Sequence, residues 1–186
     1  MQCHNMDPRS DAELVIAART GDLDAFAELV GRHRVPALRF AYGIAGDEAE
    51  DAVQEGFVKA FRNLGGFRTD AAFKPWLFTI VANEARNRRR AMSRRSKLEL
   101  QVREQPQPAD ADVEHVVAQH DQRQRLLDVV ARLPDRYREV IALRYFAELS
   151  ESETADVLSC PLGTVKSRLS RASHLLRVEL GSEVTS

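Results

Sequence analysis

Residues 86–97 read RNRRRAMSRRSK, six arginines and one lysine with no acid among them. Far along the chain a second basic set, Lys166, Ser167, Ser170, Arg171 and His174, falls within VKSRLSRASHLL. Guanidinium groups grip phosphate oxygens in pairs, and Arg or Lys can also reach the acceptor edges of a base. Serine hydroxyls are short enough to let a helix approach such an edge. A third cluster has the opposite sign: Asp47 to Glu55, DEAEDAVQE, holds five acids and no base. The formal net charge of −1 therefore hides a segregated pattern, which points to two surfaces with different partners. The bland alternative, that the acidic run is simply a solvated face, fits that run equally well.

Bond-making chemistry finds no such support. An enzyme on a helical bundle could draw on Asp47, Glu48, Glu50, Asp51 and Glu55, but no Glu-x-x-His pair, Gly-rich phosphate loop or nucleophile-base set accompanies them. His33, His115, His120 and His174 are scattered, and Cys3 beside His4 offers too few ligands for a metal. Cys3 and Cys160 lack any partner spacing, so neither a disulfide framework nor a zinc site follows. The expectation is no catalytic residue, no metal and no cofactor.

The elements that must carry these residues read as helices. The 186 residues, 44% hydrophobic and 30% charged with only 6% aromatic, describe a soluble globular chain favouring helix over sheet. No apolar run approaches about 20 residues and no leader is evident, so a cytoplasmic protein without membrane insertion is expected. Helix signals begin at Asp11–Thr20, closed by Gly21, and again at Asp24, with a kink or break at Pro36. Asp47–Leu64 reads as one helix, with Ala49, Val53, Phe57, Ala60, Phe61 and Leu64 on one stripe and Gly65-Gly66 at its end. After the loop GGFRTDAAF, the spacing of Phe73, Trp76, Leu77, Ile80 and Val81 carries a helix into the arginine run.

The organisation expected is all-α, with two small helical domains: an N-terminal bundle at 11–97, an acidic, Pro-containing flexible linker at 98–120, and a four-helix C-terminal domain at 121–180. In the last domain, Ser150 and Glu153 spell a capping box, and Cys160-Pro161-Leu162-Gly163 makes a turn. The helix after it turns Val165, Leu169, Ala172 and Leu176 inward and Lys166, Ser167, Ser170, Arg171 and His174 outward. Two short helices joined by a tight turn are a helix-turn-helix, whose second helix enters the major groove of DNA.

The segments GDLDAFAELV, AEDAVQEGFVKAFRNLGGFR, FKPWLFTIVANEARNRRR and LPDRYREVIALRYFAELSESETADVLSCPLGTVKSRLSRA stand in an order that resembles a bacterial RNA polymerase sigma factor of the extracytoplasmic-function (ECF) group, over nearly all of Asp11 to Leu180. The resemblance implies a dissociable polymerase subunit, responsive to stress and held by an anti-sigma factor. It implies that the first domain binds the beta-prime clamp helices and melts the promoter minus-10 element, while the second reads the minus-35 element and contacts the beta flap. By that likeness Asp51, Gln54, Glu55 and Lys59 contact core polymerase, with Val53, Phe57 and Phe61 mostly core. Asn83, with the loop Gly66–Ala72, captures a flipped minus-10 base; Arg86, Arg88, Arg89 and Arg90 meet the DNA backbone nearby. Trp76 is assigned to the core. Lys166, Ser167, Ser170 and Arg171 fall at the minus-35 reading positions, with Arg168 on phosphate. Some relatives place an aromatic at the position of Ser170 or an Arg at that of Lys166, so promoter sequence does not carry over. The competing function, an ordinary DNA-binding regulator, would account for the helix-turn-helix but leave the acidic helix and the segment from Trp76 to Arg90 unexplained.

Overall fold

The computed structural model describes residues 9–68, 70–102 and 127–183, and among these every regular element is helical. The N-terminal bundle is α1 (Asp11–Arg19), α2 (Leu23–Ala45), α3 (Ala49–Asn63) and α4 (Phe73–Val102). Ser10 starts α1 with a reciprocal capping box to Glu13, and the Asp22 side chain caps α2 by accepting the Ala25 N–H at 2.9 Å. α2 thus begins just ahead of the expected Asp24. It also runs unbroken through Pro36, where a kink or break was expected. A proline costs the helix one backbone hydrogen bond. Here the buried residues on both sides of it, Leu29, Ala37, Phe40 and Ile44, hold the two turns against the core. Gly46, at φ 57°, ends α2 in a conformation that favours glycine.

The expected helix from Asp47 to Leu64 is shorter: 3-10 turns at Gly46–Glu48 and Leu64–Gly66 flank α3. α3 and α4 pack tightly at Gly56, where an added Cβ would lie 2.9 Å from Val81 Cγ2. Leu14, Val15, Leu29, Phe40, Val53, Leu77, Phe78 and Val81 fill the core, each buried apolar side chain of this size being worth about 1.5–3 kcal/mol. Trp76 packs partly buried at the core edge, its ring 4.9 Å from Phe67 and 5.7 Å from Phe73.

The C-terminal domain comprises the helical residues 127–132, α5 (Asp135–Ile141), a wide π turn at Ala142–Phe146, α6 (Glu151–Leu158) and α7 (Leu162–Glu183). The Ser150–Glu153 capping box forms as the spacing predicts. The turn before α7 differs in detail: its left-handed residue is Ser159, at φ 48°, and Gly163 lies within the first turn of the helix. Pro161 supplies that start, since the Thr164 N–H donates to its carbonyl at 2.8 Å. Val130, Leu133, Val140, Val165, Leu169 and Ala172 form the domain's own small core.

Arg138 ties this domain together from inside. Only 3% exposed, it donates from Nε to the Val130 carbonyl at 3.1 Å and from Nη2 to the carbonyls of Ala131 and Leu133. These carbonyls lie at and just beyond a helix C-terminus, where intrahelical donors run out; the Leu133 N–H also reaches the Val130 carbonyl at 3.1 Å, and the guanidinium bonds all three at once.

The two domains are in contact. Ala142, Leu143, Ala147, Leu149 and Val157 belong to the same buried cluster as the N-terminal core, and Phe146 and Leu158 pack on both clusters. The backbone of α4 continues through residues 98–102, the first of the expected linker, and the remainder of that segment lies outside the described residues. Cys3 and His4 lie outside them as well.

Candidate nucleic-acid interface

On α7 the residues expected outward are outward. Lys166, Ser167, Ser170, Arg171 and His174 are exposed, Arg168 is half-buried, and Val165, Leu169 and Ala172 are buried; Leu176 is only partly covered, packed at the edge of the core. The period of the helix produces this division, because positions three and four apart share a face. Ser167 Oγ donates back to the Thr164 carbonyl at 3.0 Å, and Lys166 Nζ stands 3.9 Å from a Glu151 carboxylate. The side chains of Ser170 and Arg171 make no hydrogen bond or ion pair with the described residues, leaving a hydroxyl and a guanidinium to reach outward from the helix.

On α4 the outcome is different. Asn83 is exposed and its Oδ1 accepts from Arg86 Nη1 at 2.9 Å. Arg86 also grips Glu139 of α5 with two bonds, Nε to Oε1 at 2.7 Å and Nη2 to Oε2 at 3.0 Å. Arg89 donates to Asp135 Oδ1 at 2.6 Å, again across the domain boundary. Arg88 turns the other way, reaching Glu48 and Asp51 at 3.0 Å each. The hydrogen bond to Glu48, with both acids' charges, pushes the Arg88 guanidinium pKa above its ordinary value. Arg90 is exposed and, with Ser93 and Arg94, lines a polar cleft of about 650 Å³ between the domains.

The acidic helix is likewise partly committed. Asp51 is exposed but shares Arg88 with Glu48. Lys59 bridges to the nearly buried Glu84 of α4 at 2.8 Å and lies 3.8 Å from Glu55. The Glu84 hydrogen bond raises the Lys59 pKa, so this cation is held inside the bundle as much as offered to a partner.

Gln54 is exposed, and it borders a feature that sequence reasoning missed. Between α2 and α3 runs an open, mostly apolar groove of about 690 Å³, lined by Leu23, Phe26, Val30, Val53, Val58 and Phe61 among others. Val53 and Phe57 are core as expected, but Phe61 is 42% exposed, its ring 4.8 Å from Phe26. The signal was present: α3 carries apolar residues at Val58 and Phe61 in addition to the buried Val53, Phe57 and Ala60. The apolar arc of α3 is therefore wider than the core covers.

Among the described residues no group of three metal-binding side chains occurs, and no helix is long and apolar enough to cross a membrane. Residues 29–95 match the family described as Sigma-70 region 2, and residues 123–174 match Sigma-70, region 4. The chain is 35% identical to the RNA polymerase sigma-H factor of Pseudomonas aeruginosa over 89% of its length and 91% of that relative. It is 37% identical to the ECF RNA polymerase sigma-E factor of Escherichia coli, over 90% of this chain and 92% of the other. Among solved structures, CnrH in complex with the cytosolic domain of CnrY matches with a TM-score of 0.72 and 29% identity, covering 92% of this chain and 97% of that one. The sigma factor RpoE of Bartonella quintana, in complex with the anti-sigma factor NepR, matches with a TM-score of 0.64 and 29% identity over 84% and 96%. With both sigma regions matched in order and relatives aligned along nearly the whole chain, the protein belongs to the sigma-70 family of RNA polymerase sigma factors, in its ECF group.

Proposed function

We propose that this chain is a promoter-specificity subunit that joins core RNA polymerase, positions it on DNA and then leaves. The observation that carries the reading is the coexistence, in one chain, of an exposed basic helix-turn-helix face on α7 and an open apolar groove on the N-terminal bundle. A plain DNA-binding regulator needs the first and has no use for the second.

In this reading the groove between α2 and α3, with Gln54 on its lining and Asp51, Glu55 and Lys59 on the adjoining face of α3 toward α4, docks on the beta-prime clamp helices. α7 enters the minus-35 major groove with Lys166, Ser167, Ser170 and Arg171 toward the bases and Arg168 on phosphate, while its domain leans on the beta flap. Asn83 holds an unstacked minus-10 base through its amide, and the arginines of α4 follow the separated strand. Each contact is weak alone and becomes selective when polymerase tethers both domains to one promoter. RNA synthesis belongs to the polymerase, and the chain needs no cofactor. An anti-sigma factor, as in the Bartonella quintana neighbour, would hold the free protein in the cytoplasm.

Run-off transcription with purified core polymerase on genomic promoter fragments tests this directly. Discrete transcripts that require the added protein are expected; failure to bind core enzyme would instead favour the regulator. Within an active complex, Asn83→Ala should leave polymerase binding intact and impair opening. Unchanged permanganate reactivity of the minus-10 thymines would count against the role given to Asn83.

A further inference from the structure

The carboxamide of Asn83 has a donor end and an acceptor end of nearly the same shape, and the end that faces outward decides what a base must offer it. We infer that Arg86 makes that choice: its guanidinium holds the Asn83 oxygen, so only the amide NH2 is presented to the flipped minus-10 base. Arg86 is thereby a positioning residue that sets base preference. This inference rests on the role proposed above for Asn83 and names the base chemistry it reads.

Asn83 is exposed on α4, with the flanking Ala82 and Glu84 buried. Its Oδ1 accepts from Arg86 Nη1 at 2.9 Å. A guanidinium carries donors and no acceptor, so it can hold the oxygen of an amide and never the nitrogen. Positions three apart on a helix are neighbours, so the pairing belongs to α4 itself and does not depend on what packs against the helix. Arg86 is anchored by another edge: Nε and Nη2 meet the Glu139 carboxylate at 2.7 and 3.0 Å. One guanidinium can therefore orient Asn83 through Nη1 while its Nε edge meets an anion. Asn87, one turn on and also exposed, supplies the contrast. Its side chain makes no hydrogen bond with the described residues, and either end of its amide can turn outward.

With Oδ1 turned to Arg86, Asn83 offers donors alone. The ring nitrogen at the centre of the Watson–Crick edge accepts in cytosine and adenine, whereas in thymine and guanine it carries a hydrogen and would confront the NH2 with a second donor. The orientation thus selects cytosine or adenine.

The test uses holoenzyme assembled from core polymerase and the full chain, with fluorescent single-stranded oligonucleotides spanning a minus-10 sequence from the run-off transcripts. Each position is varied through all four bases, and the position read by Asn83 is the one whose preference disappears in Asn83→Ala. There the parent is expected to favour cytosine and adenine over thymine and guanine by about threefold to tenfold, as one hydrogen bond allows. Arg86→Met keeps the aliphatic stem without a donor, so the freed amide turns to suit any base and the ratio should fall below about twofold. Arg86→Lys should restore much of it. Asn83→Asp turns an acceptor outward and should reverse the preference. The ratio between bases decides, since loss of a phosphate contact or of stability weakens all four oligonucleotides alike. A parent preference for thymine or guanine overturns the inference, as does an unchanged ratio in Arg86→Met or an unreversed one in Asn83→Asp. Should Arg86→Met fail to assemble into holoenzyme, the exposed and nearly isosteric Asn83→Asp decides alone. If Asn83→Ala keeps every preference of the parent, the reading of Asn83 falls and this inference with it, while run-off transcription still reads out the sigma function separately.

Discussion

The chain carries two cationic helices, α4 and α7, and they are cationic in different senses. On α4 the guanidiniums of Arg86, Arg88 and Arg89 are already satisfied by Glu139, by Glu48 and Asp51, and by Asp135. On α7, Arg171 has no partner among the described residues and Lys166 only a distant one. In the sequence run that looks most strongly like a nucleic-acid site, three of the six arginines are therefore already engaged within the chain. The sparser run is the one held open. Local charge density reports potential partners, while the fold decides which partner is engaged first.

The sharpest way to widen that comparison is a third arginine, one that serves only the fold. Arg138 is buried, donates to three backbone carbonyls and lies 3.6 Å from the Asp135 carboxylate, so Arg138→Ala should cost about 3–5 kcal/mol by taking that donor from the Ala131 and Leu133 carbonyls and leaving a cavity. Arg138→Lys should recover little, since an ammonium lacks the planar fork. Urea unfolding of the full chain measures both; a loss under about 1 kcal/mol would remove Arg138 from the structural class.

A smaller pair of effects tests the contrast itself. Arg86→Ala leaves the half-buried Glu139 unpaired and should lower stability by about 1–3 kcal/mol. Arg171→Ala should leave stability within about 0.5 kcal/mol, because no intramolecular contact is lost. It should instead reduce discrimination at the minus-35 element by about 1–3 kcal/mol, read by competition between intact and mutated promoters in the polymerase complex. If Arg171→Ala destabilised the protein as much as Arg86→Ala does, the distinction between spent and available cations would collapse.

What could be read from the sequence follows the same division. Period and capping chemistry are local, so the helices, the Ser150–Glu153 box and the outward face of α7 were legible. Pro36 misled because its penalty is local, whereas the burial of Phe40 and Ile44 that outweighs it is tertiary. Phe61 was assigned to the core because it shares a stripe with Val53 and Phe57, and only the placement of α2 and α4 shows where that stripe runs out of cover. The Arg86–Glu139 and Arg89–Asp135 pairs join residues 53 and 46 positions apart, and no local pattern announces them. The expectation of two separate bundles gave no hint that Phe146 would find Gly43.

The mildest test compares the domains through the motif they share, since each carries a capping box, Ser10–Glu13 ahead of α1 and Ser150–Glu153 ahead of α6. Ser150→Ala should cost about 0.5–2 kcal/mol at neutral pH. Burial pushes the Glu153 carboxyl up, but the Ser150 backbone N–H, its hydroxyl and the Lys74 charge outweigh that and leave its pKa lowered from 4.5. A folded pKa below the unfolded one means that the unfolded chain binds more protons in between, so stability rises with pH there. The contribution is complete above about pH 5 and is lost as pH falls through the lowered value. Glu13, lowered by the same Ser10 contacts, adds an acid slope of the same sign from the other domain. Ser150→Ala should therefore flatten the acid limb of the stability curve while Ser10 keeps its share, and urea midpoints between pH 3 and pH 7 separate the two. If the slope of the Ser150→Ala variant matched the parent's, the backbone N–H at position 150, which alanine retains, would be the group that holds the Glu153 carboxylate, and the hydroxyl would have no part in its titration.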